Sequence, residues 1–121
     1  MLGFFSCEKD NLQNTDKLFG YWVNPTYSDN VEILNKDSTF NTINYGFSFL
    51  DNGKFIERKI AGWCGTPPVS YENYNGNWTL NDSIININVD YWGGKASYKW
   101  KIVSITDNIL KIKILEQKNN N

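Results

Sequence analysis

Ser83-Ile84-Ile85-Asn86-Ile87-Asn88-Val89-Asp90-Tyr91, followed by Trp92-Gly93-Gly94 and Lys95-Ala96-Ser97-Tyr98-Lys99-Trp100-Lys101-Ile102, is the stretch that decides the fold. Ile85, Ile87, Val89 and Tyr91 fall on one side of an extended chain, and Asn86, Asn88 and Asp90 fall on the other. That period of two marks a half-buried strand. Gly93-Gly94 turns the chain and residues 95–102 resume the alternation. Thr106-Asp107-Asn108 turns it again, and Ile109-Leu110-Lys111-Ile112-Lys113-Ile114-Leu115 completes an antiparallel meander.

The same signals extend upstream. Leu18-Phe19-Gly20-Tyr21-Trp22-Val23 reads as a first strand closed by Asn24-Pro25, and Val31-Glu32-Ile33-Leu34 as a short second one ending at Asn35-Lys36-Asp37-Ser38. Residues 44–50 set Tyr45, Phe47 and Phe49 against Asn44, Gly46 and Ser48, and Asp51-Asn52-Gly53 turns them into a partner strand over 54–62. Residues 63–69 carry adjacent prolines, which remove ladder donors, so they read as a long connection at a barrel rim. Residues 71–80 re-enter the sheet, with Gly76 at a point where backbones approach closely. Thr15 or Asp16 can cap a short helix before Phe19. About eight strands result, without an internal repeat.

Composition agrees. The 121 residues support one domain with a small core. Aromatics reach 16%, while alanine occurs only at Ala61 and Ala96, so the chain is expected to be all-β. A formal net charge of -1 argues against a nucleic-acid partner, which needs concentrated basic surface. Lys95, Lys99, Lys101, Lys111 and Lys113 share the outer face of two strands and read as a solvated face that resists edge-to-edge aggregation. The chain has no histidine, which removes the usual general base and the commonest zinc ligand, and neither a metal nor a cofactor is expected. No apolar run approaches the roughly 20 residues that span a bilayer as a helix.

Met1-Leu2-Gly3-Phe4-Phe5-Ser6-Cys7-Glu8-Lys9-Asp10 is similar to the end of a bacterial lipoprotein signal, in which the cysteine becomes lipidated. A frayed terminus with a chance cysteine is the alternative. On the first reading residues 1–16 form a tether, 17–116 the domain and 117–121 a disordered polar tail. Cys64 then has no partner within the chain and reads most simply as a small buried hydrophobe.

Gly20-Tyr21-Trp22 resembles the opening strand of lipocalins. Gly76-Asn77-Trp78-Thr79-Leu80-Asn81-Asp82-Ser83-Ile84 resembles the mid-domain strand-turn-strand of bacterial lipocalin-like lipoproteins. Tyr45-Gly46, Phe49, Gly53, Glu57-Arg58, Trp63-Cys64-Gly65-Thr66-Pro67-Pro68 and Tyr91-Trp92-Gly93-Gly94 add to that likeness. The resemblance implies a small up-and-down antiparallel β-barrel of about eight strands enclosing one small apolar ligand. Parity places Trp22, Tyr45, Phe47, Phe49, Ile85, Ile87, Val89, Tyr91, Tyr98, Trp100, Ile102, Leu110, Ile112 and Ile114 inside, with Trp78 and Leu80 beside them. Side chains this large can also fill the barrel without leaving a cavity.

Residues 54–62 have no wholly apolar face. If Ile56 and Ile60 point inward, so does Arg58, the chain's only arginine, which would then need a carboxylate or an anionic ligand. The opposite register buries Phe55 and leaves Arg58 on the surface. Trp63, Tyr71, Tyr74, Tyr91 and Trp92 read as an aromatic rim or as a plug. Asp51, Glu57, Glu72, Asp82 and Asp90 fall on turns and outward positions, which disfavours an enzyme built on paired acids.

The expectation is therefore a non-enzymatic, monomeric, lipocalin-like protein of the bacterial cell envelope, held as an outer-membrane lipoprotein by lipid on Cys7. It binds a small hydrophobic or amphipathic molecule through Arg58, Trp63, Tyr45, Phe47, Tyr74, Trp78, Tyr98 and Trp100. The alternative is a structural or protein-binding surface module whose barrel is solid.

Overall fold

The computed structural model describes residues 17–40, 44–61 and 70–120, with Asn120 described in its backbone only. Cys7, Trp63, Cys64 and the tether over 1–16 lie outside the described residues. Eight strands follow in order: β1 (Gly20–Ser28), β2 (Val31–Asp37), β3 (Gly46–Phe49), β4 (Lys54–Ile60), β5 (Tyr71–Asn81), β6 (Ile84–Tyr91), β7 (Gly94–Ile105) and β8 (Ile109–Asn120). They close into a barrel in which every neighbouring pair is antiparallel, in the order β1-β2-β8-β7-β6-β5-β4-β3.

From β3 to β8 each strand pairs with the next, as an up-and-down barrel requires. The start departs from that order. β1 lies between β2 and β3, and β2 closes the barrel on β8, with Leu34 opposite Leu110. β2 and β3 therefore run in the same direction on either side of β1, joined by the connection that follows β2. Phe40, at the start of that connection, stands edge-on to the outward ring of Tyr21 at 4.8 Å and thereby covers the outer wall.

The alternation seen in sequence sets the interior. Trp22, Leu34, Phe47, Phe49, Phe55, Trp78, Ile85, Ile87, Val89, Trp100, Leu110 and Ile112 are all buried in one cluster. Removing each such side chain from water contributes about 1.5–3 kcal/mol. Aromatic edges and faces interlock through it, with Phe47 5.4 Å from Phe49 and 4.9 Å from Trp100 between ring centroids. Lys17 and Leu18, in helical conformation, lead into β1, and Leu18 is buried in the same cluster. The Trp22 indole N–H donates to the Leu18 carbonyl at 2.8 Å, and Lys36 lies over the same ring at 4.8 Å. The Trp78 N–H donates to the Leu50 carbonyl at 3.0 Å.

Three local readings need correction. β1 does not stop at Asn24-Pro25: Asn24 takes a left-handed φ of 55° and the register with β2 shifts between Val23 and Thr26. This bulge leaves the proline, which lacks an N–H, out of the ladder. The turn comes instead at Asp29-Asn30, both at positive φ as a tight hairpin of this hand demands. Residues 117–120, read as a polar tail, continue β8, because β7 offers them a full backbone ladder from Tyr98↔Gln117 to Lys95↔Asn120. Ile114 keeps inward parity but is 39% exposed, since it stands at the barrel mouth above the packed layer.

Gly76 fits its expected role. A Cβ there would stand 2.2 Å from the Asn88 carbonyl oxygen and 2.8 Å from the Val89 Cα, so only hydrogen lets β5 and β6 approach this closely. Lys95, Lys101, Lys111 and Lys113 are exposed on the outer wall, as expected.

Candidate functional site

The barrel interior changes character along its axis. Past the aromatic layer, toward the end where β4 finishes and β8 runs out, the inward positions are occupied by polar side chains. The register that puts Phe55 inside also puts Glu57 and Lys59 inside, because inward positions recur every second residue. β2 contributes Glu32 by the same parity that buries Leu34. β7 contributes Tyr98, and Gln117 of β8 is its partner across the ladder. Tyr45 precedes β3 at the same level.

Glu57 is the centre of this arrangement and is only 2% exposed. Its Oε1 accepts hydrogen bonds from Lys59 Nζ at 2.7 Å and from the Tyr98 hydroxyl at 2.8 Å, while its Oε2 accepts one from the Tyr45 hydroxyl at 2.5 Å. A buried carboxylate is tolerated when donors of this kind surround it. Lys59 also donates to the Tyr98 oxygen at 3.4 Å, and its ammonium lies 5.4, 5.7 and 5.8 Å from the ring centroids of Tyr74, Tyr91 and Tyr98. The ring faces attract that charge. Burial, and then the charge of Glu57, push the phenols of Tyr45 and Tyr98 well above their ordinary range, so both remain protonated donors.

Glu32 is the second buried acid, 4% exposed. Burial pushes its pKa up to about 7; a hydrogen bond with Tyr27 pulls the other way, and the charge of Glu57 adds to the rise. The two acids and Lys59 line one cavity of about 300 Å³, whose walls include Pro25, Tyr27, Tyr45, Tyr98, Trp100, Ile114 and Gln117. A second hollow of about 300 Å³ shares Tyr45, Lys59 and Tyr98 and reaches Tyr71, Tyr91, Trp92 and Asn119. The open end is thus a two-lobed site divided by Lys59. A larger concavity of about 790 Å³ is a groove on the outer wall around Asn75, Asn77 and Asn88, away from the buried acids.

Trp100 lines the cavity, and its indole N–H is buried without a hydrogen-bond partner among the described residues, unlike the N–H groups of Trp22 and Trp78. Such an orphan is rare in a folded protein and costs about 1–3 kcal/mol.

The expected site residues divide. Tyr45, Tyr74, Tyr98 and Trp100 come together at the open end. Phe47 and Trp78 belong to the packed layer and fill the barrel beneath. Trp63 lies outside the described residues. Arg58 requires correction: it points outward and donates to Asn73 Oδ1 at 2.9 Å on the exposed face of β4 and β5. The view that the acids are scattered over turns and outward positions is likewise corrected, because Glu57 is internal and shares a cavity with Glu32.

Glu32, Glu57 and Lys59 were missed as site residues, although a signal existed for two of them. Phe49 is inward, and the hairpin closes through Leu50 and Lys54, whose backbones bond at 2.9 Å, so counting across the turn sets Phe55 opposite Phe49. Glu57 and Lys59 then follow inward. No protein-family model, curated protein or solved structure matches this chain. The fold and site define a closed eight-stranded antiparallel barrel, apolar and filled at one end, polar and hollow at the other.

Proposed function

We propose that this chain is a non-enzymatic, lipocalin-like binding protein that takes a small amphipathic molecule into the open end of its barrel. One observation carries the reading: a cavity of about 300 Å³ in which buried polar side chains stand above an aromatic floor. A pocket of that size is at the lower bound for small-molecule sites, and the pairing of few polar groups with apolar walls is their usual chemistry. The polar head of a ligand meets Glu32, Tyr98 and Gln117; its apolar part meets Trp100 and Ile114.

Binding fits the site better than catalysis does. Both oxygens of Glu57 are already held by donors, so it can neither attack nor accept a proton without dismantling the network. Glu32 alone lacks the second group that acid–base chemistry requires. The residues around Cys7 support attachment to the bacterial envelope as an outer-membrane lipoprotein, with the barrel displayed beyond a tether.

Native mass spectrometry of the protein isolated from its own host tests the reading. A retained small molecule, released by Trp100→Ala and kept by Arg58→Leu, is the expected outcome. Repeated preparations without any adduct, together with no binding of amphiphiles in titrations, overturn it. Radiolabelled fatty acid incorporated into the wild-type chain but not into Cys7→Ala tests the anchor separately.

A further inference from the structure

We propose that the open-end site selects an amphiphile carrying one ammonium group, seated against Glu32. The inference rests on the binding reading above and gives the ligand its charge.

Among the described residues, the cavity holds two carboxylates, Glu32 and Glu57, and one ammonium, Lys59. Lys59 and Glu57 are in contact at 2.7 Å and neutralise each other. Glu32 remains as buried acid whose partner is a neutral phenol, that of Tyr27. A carboxylate or phosphate ligand in this cavity would face Glu32 and the field of Glu57. An ammonium completes the balance and forms a charge-assisted hydrogen bond.

The surroundings already hold one such group. Lys59 rests among the faces of Tyr74, Tyr91 and Tyr98, an arrangement that favours cations over neutral polar groups. The Trp100 indole forms part of the cavity's apolar floor, which suits the chain of such an amphiphile.

The site also makes such binding pH-dependent. Glu32 faces Tyr27 from β1, Tyr45 ahead of β3, Glu57 and Lys59 from β4, Tyr98 from β7 and, at the outer mouth, Lys113 from β8. Of these, Glu32 is the acid raised to about 7, so it gains its charge across the neutral range, while an alkyl ammonium stays protonated throughout.

Calorimetric titration of the purified full chain with 2-amino-1-octanol, 1-octanol and octanoate, at one ionic strength, tests this. The amine is expected to bind about tenfold or more tightly than the alcohol at pH 8, and octanoate the most weakly. The preference for amine over alcohol should shrink as pH falls to 5.5 and vanish in Glu32→Gln, an isosteric change that removes the charge. Should Glu32→Gln fold poorly, the pH series on the native chain decides alone. Equal affinity for amine and alcohol at pH 8, or tighter binding of octanoate, overturns the inference and leaves a neutral or anion binder. Binding of none of the three overturns the binding reading itself.

Discussion

At the scale of single residues, Glu57 determines whether the polar half of the barrel holds together. Replacing it with leucine leaves the largely buried Lys59 ammonium and the hydroxyls of Tyr45 and Tyr98 without the acceptor they share. Breaking a buried pair by removing one partner costs about 3–5 kcal/mol, much of it from the charge left behind. Glu57→Leu should therefore lower unfolding free energy in urea by about 3 kcal/mol, and Glu57→Leu combined with Lys59→Met should recover most of that. Failure of the double variant to recover would show that the stability lies in the tyrosine network rather than in the charge pair. Gly76→Ala should cost about 1–3 kcal/mol, because the added methyl meets backbone, which yields less readily than a side chain. The residue scale is also where sequence was hardest to read. Phe55-Ile56-Glu57-Arg58-Lys59-Ile60 offers an apolar residue to either face, so parity alone cannot choose between Arg58 and Glu57. Tertiary pairing with β3 makes the choice, and it places the arginine in water.

At the scale of elements, the strands were legible wherever alternation ran unbroken, as through β6 and β7, because burial of one face leaves a direct mark on composition. They were not legible where pairing alone makes the strand. The end of β8 is polar at Glu116, Gln117, Lys118 and Asn119, and nothing local favours extension there; the exposed ladder of β7 does. The same holds for the early part of the barrel, where no residue announces that β2 will seek β8 and leave β3 to β1. The long β8 suggests a direct test. Ending the chain after Glu116 removes the partners of Lys95, Ala96, Ser97 and Tyr98 and the Gln117 wall of the cavity. The amides of β7 over 95–98 should then exchange hydrogen at least tenfold faster, stability should fall by about 1–2 kcal/mol, and amphiphile binding should weaken, while the protection of β6 persists. Unchanged exchange over 95–98 would mean that this stretch of β8 frays in solution and forms no part of the site.

At the scale of the whole molecule, the division between a filled apolar half and a hollow polar half ties stability to pH. Glu32 has its pKa pushed to about 7 in the fold, chiefly by burial, against an ordinary 4.5 in an open chain. The folded state therefore holds the proton more tightly than the unfolded state. Its contribution is fully present below about pH 4.5 and is lost as pH rises through about 7, so this group makes the protein less stable at pH 8 than at pH 5. Each pKa unit of difference corresponds to about 1.4 kcal/mol, but water entering the mouth screens the carboxylate, and the drop expected between these two pH values is about 1–2 kcal/mol. Most carboxylates that gain partners on folding act in the opposite direction. Urea unfolding of the native chain and of Glu32→Gln at intervals from pH 4 to 8.5 separates them: the glutamine variant should lose the decline between about pH 4.5 and 7 and exceed the native chain at pH 8. A ligand ammonium should restore at pH 8 what the ionised Glu32 removes, so that amine raises the melting temperature more at pH 8 than at pH 5. If Glu32→Gln and the native chain show parallel profiles, Glu32 is solvated in the fold and the open end lacks the unbalanced charge on which its selectivity depends.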